Sequence, residues 1–109
     1  MQSLRVDQLQ EFVATHPGAL MLDVREAWEV LLARIELAGV GSLHIPMQQV
    51  TERWAEIDPS QPVVCICHHG ARSAQVVAFL QRQGHLQAYN LAGGLDAWST
   101  QVDRAVPRY

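Results

Sequence analysis

The residues best placed to do chemistry crowd into one block of this 109-residue chain, Cys65-Ile66-Cys67-His68-His69-Gly70-Ala71-Arg72-Ser73. The block joins the apolar run Pro62-Val63-Val64-Cys65-Ile66, expected as a buried strand, to a helix-like run expected to begin at Ala74. A cysteine between the two sits at a helix N-terminus, where backbone N–H groups lack internal partners and the dipole is positive. Anions are stabilised there, and a thiolate is an anion. Such surroundings turn a sluggish thiol into a nucleophile at neutral pH, and Cys67 is the residue so placed.

Residues 68–71 separate Cys67 from Arg72, with Gly70 among them. Glycine tolerates positive φ and has no side chain, so successive N–H groups can turn inward as an anion-binding nest. Arg72 is expected to add a permanent charge at the rim, Ser73 to cap the helix, and His68 and His69 to stand at the rim contributing backbone N–H groups. A sulfur carried on Cys67 would hold its terminal anion inside this nest, each aimed donor being worth about 3 kcal/mol by analogy with oxyanion holes.

Plainer readings apply to the neighbouring residues. Cys65 lies within the apolar run and reads as a small buried hydrophobe, and two residues of rigid strand do not supply disulfide geometry to Cys67. No metal site is expected, because adjacent ligands rarely close one tetrahedron and zinc patterns pair ligands two to four residues apart with a distant second pair. Asp23 and Arg25 read as a supporting salt bridge or hydrogen bond that orients the cysteine loop. Trp28, Trp54 and Trp98 read as core or helix-packing residues, and His16, His44 and His85 as structural. Gly93-Gly94 lacks a nucleotide fingerprint and reads as a tight turn.

The elements that must position these residues follow from periodicity. Asp7 is expected to cap a first helix carrying Leu9, Phe12 and Val13, which stops at His16-Pro17-Gly18. Ala19–Leu22 reads as a buried parallel strand ending at Asp23-Val24-Arg25, and a short helix over Ala27–Leu32 follows. Leu43-His44-Ile45 reads as a strand. Met47, Val50, Trp54 and Ile57 share one face of a helix ended by Asp58-Pro59-Ser60. After the cysteine loop, a helix using Val76, Val77 and Leu80 ends at Gly84. Ala88–Leu91 is a last strand, followed by a short helix through Trp98 and a tail that is irregular from about residue 101. This alternation predicts an α/β fold, a mostly parallel sheet with helices on both faces. Ligands of such folds bind beyond the carboxyl ends of the strands, where Cys67 and Asp23-Val24-Arg25 both fall.

Length fits one domain over residues 1–109, and composition is that of a globular protein, 49% apolar and 17% charged. All eight basic residues are arginines, scattered over a chain of formal net charge −3, so no basic stripe announces nucleic acid and lysine Schiff-base chemistry is excluded. No run is long enough to span a membrane, the start has no leader pattern, and two cysteines are too few for a secreted disulfide framework. The expected location is cytoplasmic, with no nucleic-acid or membrane partner.

The segment Cys67-His68-His69-Gly70-Ala71-Arg72-Ser73 resembles the Cys-x-x-Gly-x-Arg-Ser loop of single-domain rhodanese-like sulfurtransferases. Leu22-Asp23-Val24-Arg25-Glu26, with Glu29 after it, is similar to that family's Asp-x-Arg block, and Gly93-Gly94-Leu95-Asp96-Ala97-Trp98 to its Gly-Gly-x-x-x-Trp block. The three blocks span residues 22–98 in family order. The resemblance implies a five-stranded parallel sheet and double displacement at Cys67. The thiolate takes a sulfane sulfur from thiosulfate or another persulfide donor, and cyanide, a thiol or a sulfur-accepting protein removes it. It implies no metal or organic cofactor. His68 and His69 stand where some thiosulfate-using relatives carry more basic residues, which leaves the donor open. Two other functions compete: a non-catalytic binding or regulatory module of the same family, and a phosphatase or arsenate reductase. Protein tyrosine phosphatases place five residues between Cys and Arg, and the shorter loop here makes a cradle nearer the size of a sulfur atom.

Overall fold

The computed structural model describes residues 2–109. Strand β2 (Leu20–Asp23) and strand β4 (Val63–Ile66) are buried at every position, which both faces of a covered parallel sheet require. With β1 (Ser3–Arg5), β3 (Gly41–His44) and β5 (Ala88–Ala92) they form a five-stranded sheet in the order β1-β5-β4-β2-β3, every neighbouring pair parallel. The edge strands β1 and β3 are short and largely exposed, which limits the unpaired backbone they offer to other chains.

Period-two alternation divides the strand side chains between two cores. Leu20, Leu22, Val63, Cys65 and Ala88 face α3 (Val50–Arg53) and α4 (Ala71–Arg82), meeting Val50, Val76, Val77 and Leu80. Met21, Val64, Ile66 and Leu91 face α1 (Leu9–Thr15) and α5 (Gly94–Gln101), meeting Leu9, Phe12, Leu95 and Trp98. The α/β fold with helices on both faces is the expected one. Helix α2 spans Ala27–Leu32, as its pattern predicts. Among the described residues no helix is long and apolar enough to cross a membrane.

Four local expectations are corrected. Asp7 does not cap α1: it lies in a 3-10 turn, Val6–Gln8, where Gln8 Oε1 accepts the Arg5 N–H and the Asp7 carboxylate pairs with the Arg5 guanidinium. The segment from Met47 is not one helix but a 3-10 turn, the short α3 and a second 3-10 turn over Trp54–Glu56. The Met47 N–H is committed to the Val24 carbonyl and the Gln49 N–H to that of Pro46, which closes the first turn tightly. Its apolar face nevertheless lands on the core, with Val50 and Ile57 buried. Helix α4 begins at Ala71, three residues before Ala74, with Gly70 at φ +105° as its N-cap, so Ser73 lies inside the first turn and is not the cap. Trp28 is 58% exposed and is not a core residue, whereas Trp98 is.

Gly84 ends α4 as expected. At φ +96° it occupies the position after the C-cap, and the His85 N–H returns to the Leu80 carbonyl at 2.9 Å.

Candidate active site

Cys67 is the first residue beyond β4, at the carboxyl end of a strand flanked on both sides. The positive φ of Gly70 turns the chain into α4 and aims two amides at the cysteine. Gly70 N–H donates to Sγ at 3.0 Å and Ser73 N–H at 3.4 Å, and Ser73 Oγ lies 3.2 Å from the same sulfur. The loop carbonyls point away because the start of α5 takes them: Leu95 N–H donates to the Cys67 carbonyl and Asp96 N–H to that of His68, both at 3.0 Å. A helix N-terminus whose donors need partners thus holds the loop inside out, carbonyls outward and amides inward. Gly94 permits this approach, since a Cβ there would run into the carbonyls of Cys67 and His68. The tight turn expected at Gly93-Gly94 is present, with both φ values positive, and it also serves this contact.

The cradle is formed by Gly70 and Ser73, not by amides of His68 and His69. The two imidazoles stack on each other, centroids 4.1 Å apart, and His68 stacks on Tyr109 at 4.0 Å. Burial, with His69 adding to it, pushes the His68 pKa below the ordinary histidine value. His69 is exposed and its Nδ1 lies 3.9 Å from Asp96. Ala71 is simply the first residue of α4.

Arg72 is committed elsewhere. Its guanidinium forks onto Glu29 of α2, Nη1 to Oε1 at 2.7 Å and Nη2 to Oε2 at 2.9 Å, so it is not a free cation at the rim. Glu29 is 3% exposed and accepts also from the Glu26 N–H and the Tyr109 hydroxyl. The Arg72 guanidinium foremost, then these other donors against the cost of burial, hold its carboxyl down to about 2. The same bonds raise Arg72 above the usual arginine value.

Asp23 and Arg25 form the expected salt bridge, at 2.7 Å, but not against the cysteine loop. Arg25 is fully buried and uses every guanidinium N–H: on both Asp23 oxygens, on the Glu29 and Ala33 carbonyls of α2 and just beyond it, and on the Tyr109 hydroxyl. It fastens α2 and the tail to the end of β2, and reaches the loop through Glu29 and Arg72 and through Tyr109, whose ring stacks on His68. His44 is structural as expected, its Nε2 donating to the Arg25 carbonyl at 2.6 Å. Cys65 has no exposed surface, and burial, with the neighbouring Cys67 second, pushes its thiol far up.

Two site residues lay outside the sequence reading. Asn90 of β5 donates from Nδ2 to the Gly70 carbonyl at 3.2 Å and accepts the Ser73 hydroxyl on Oδ1 at 2.5 Å. Tyr109 arrives from the irregular tail, and burial first, against its bond from Arg25 and with the Glu29 charge, pushes its hydroxyl up to about 12. A signal existed for Asn90, a polar residue at an inward position of a buried strand. Tyr109 offered none.

A parallel sheet that delivers a cysteine into a loop of inward-facing amides at a helix N-terminus defines a thiol-centred α/β domain. The rhodanese-like domain family model matches residues 5–101, and the chain belongs to that family. The chain is 34% identical over 93 residues to a sulfurtransferase of Allochromatium vinosum, covering 85% of this chain and 83% of that one. It is 34% identical over 81 residues to the thiosulfate sulfurtransferase GlpE of Actinobacillus succinogenes, covering 74% of this chain and 69% of that one. The crystal structure of a rhodanese-like domain protein from Staphylococcus aureus superposes with a TM-score of 0.80 at 26% identity, covering 100% of this chain and 99% of that one. These likenesses support a rhodanese-type sulfurtransferase family for the chain.

Proposed function

We propose that the protein is a cytoplasmic rhodanese-type sulfurtransferase, one domain over residues 1–109, that carries a sulfane sulfur on Cys67. The observation that carries this reading is the pair of amide donors converging on one sulfur, Gly70 N–H and Ser73 N–H on Sγ, with the Ser73 hydroxyl beside it at 3.2 Å. The relatives named as sulfurtransferases support the same chemistry.

In the first half-reaction the Cys67 thiolate attacks the outer sulfur of thiosulfate or of another persulfide donor. The donor's S–S bond breaks, sulfite or a thiolate leaves with its electron pair, and the transferred sulfur ends as a terminal anion on Sγ. The amides at the start of α4 supply the field that favours both anions, the thiolate before transfer and the terminal sulfur after it. In the second half-reaction cyanide, a small thiol or a protein cysteine attacks that terminal sulfur, and Sγ leaves as the thiolate. Proton removal by His68 or His69 is not required. Cys67 is 1% exposed, which selects slender donors and acceptors that can reach along the loop.

Incubation with thiosulfate, or with a low-molecular-weight persulfide, is expected to add the mass of one sulfur atom to the intact protein. The adduct disappears on adding cyanide and never forms in Cys67→Ser. An unchanged mass with both donors, in protein that is folded and reduced, overturns the proposal.

A further inference from the structure

We propose that Asn90 is a positioning residue that competes with the Cys67 sulfur for the single proton of the Ser73 hydroxyl. The inference rests on Cys67 being the reacting atom.

Asn90 is 8% exposed on β5, opposite Cys65 in the β4–β5 register. Its orientation is fixed by its neighbours. A carbonyl only accepts, so the atom facing the Gly70 carbonyl at 3.2 Å is the amide nitrogen, and the atom facing Ser73 Oγ at 2.5 Å is therefore the oxygen. That oxygen also only accepts, so Ser73 donates to it. A serine hydroxyl has one proton, and once it points at Asn90, lone pairs of Oγ face Sγ at 3.2 Å. The arrangement suits a neutral thiol, with Cys67 S–H donating to Ser73, Ser73 O–H to Asn90, and Asn90 N–H to Gly70.

Ionisation reverses the middle of this chain. A thiolate has no proton to give and repels a lone pair, so the Ser73 hydroxyl turns to Sγ and leaves Asn90 Oδ1 without its donor in a nearly closed site. Leaving a buried acceptor unpaired costs free energy, and Asn90 therefore opposes ionisation of Cys67. When Sγ carries a second sulfur it is neutral and divalent, and the hydroxyl returns to Asn90. As an acceptor thiolate attacks the outer sulfur, the Sγ–S bond breaks, its electron pair moves to Sγ, and the hydroxyl swings from Asn90 to the developing charge. One proton thus serves two acceptors in turn, and Asn90 sets how readily it moves.

The charged and titratable groups around Cys67 come from every packed element: Cys65 of β4; Asp23 and Arg25 at the end of β2, paired; Glu29 of α2 with Arg72 of α4, paired; His68 and His69 of the loop; Asp96 of α5; and Tyr109 of the tail. Glu29 at about 2 and Tyr109 at about 12 bracket the neutral range.

The test is the rate of iodoacetamide alkylation against pH, read at Cys67 by peptide mass spectrometry, with Asn90→Leu made both in the wild-type protein and in Ser73→Ala. In the wild-type background Asn90→Leu is expected to raise the rate on the acidic limb by about tenfold, the scale of one net hydrogen bond. In the Ser73→Ala background the same substitution is expected to leave the profile where it was. Equal movement in both backgrounds, or none in either, overturns the inference. Should Asn90→Leu not fold, the wild-type protein still decides. The side-chain amide signals of Asn90 must change in ¹⁵N–¹H spectra over the same pH interval in which alkylation rises, and must stay still in Ser73→Ala. Signals that do not change in the wild type overturn it as well. Neither readout needs a sulfur donor, so failure of sulfur transfer and failure of this coupling are separate results.

Discussion

Tyr109 lies flat on His68, ring centroids 4.0 Å apart and planes 10° from parallel, while its hydroxyl bridges Arg25 and Glu29. The tail is thereby joined to the cysteine loop by its ring and to the β2–α2 corner by its oxygen. Tyr109→Phe keeps the stack and loses the bridge, and is expected to cost about 1–2 kcal/mol of unfolding free energy. Tyr109→Ala loses both, with about 0.5–1.5 kcal/mol more. Urea titrations of the two variants separate the contributions. Equal losses would show that the stack adds nothing.

The Glu29–Arg72 fork has a definite acid limit. A carboxyl held down to about 2 against an ordinary value of 4.5 stabilises the fold fully above the ordinary value and loses that contribution as pH falls toward about 2. Stability measured from neutral pH downward is expected to drop over that window in the wild type and to stay flatter in Glu29→Gln. At neutral pH Glu29→Gln is expected to cost about 3 kcal/mol, because it leaves a guanidinium unpaired beside a buried site. An undiminished acid transition in Glu29→Gln would assign the drop to other carboxylates.

His85 gives a second pH dependence at a higher value. It is 1% exposed, neither ring nitrogen has a hydrogen-bond partner among the described residues, and burial lowers its pKa against a smaller opposing effect of Asp58. A histidine whose folded value is depressed keeps its full stabilisation above the ordinary value of 6.5 and loses it as pH falls below that value. His85→Leu is expected to reduce the slope of stability against pH just below 6.5, while the wild type retains it. Identical slopes in the two proteins would contradict the assignment.

Two glycines of positive φ separate backbone strain from site geometry. At Gly84 a Cβ meets nothing within 4 Å, whereas at Gly94 it collides with the Cys67 and His68 carbonyls. Gly84→Ala is expected to cost about 1–2 kcal/mol, the strain of a left-handed residue, and to leave the Cys67 alkylation rate unchanged. Gly94→Ala is expected to cost more and to lower that rate at least about tenfold, by lifting the loop off α5. A Gly94→Ala protein with the wild-type rate would show that α5 does not shape the cradle.

The sheet and the cysteine loop were readable from residue patterns because their signals are local. Val63–Ile66 is continuously apolar, Gly70 marks the turn, and Leu20–Asp23 ends in the polar residues of the salt bridge. What escaped depends on partners distant in sequence. Ser3–Arg5 is a strand only because β5 offers it an edge, and its own alternation is too short to register. Ser73 reads as a cap until Asn90, 17 residues further along the chain, claims its hydroxyl. Arg72 reads as a rim charge until Glu29 takes it, and Trp28 reads as a core or helix-packing residue although α2 turns its buried Glu29 inward and leaves the indole 58% exposed.

The loop carbonyls held by Leu95 and Asp96 bear on the order in which the protein matures. Cys67 leaves the ribosome before the residues that turn its loop inside out. Until β5 and α5 dock, the loop lacks the Leu95 and Asp96 amides that hold its carbonyls outward and the Asn90 side chain that bonds the Gly70 carbonyl. The loop geometry is therefore a late-acquired property, complete only when the last helix closes on the sheet.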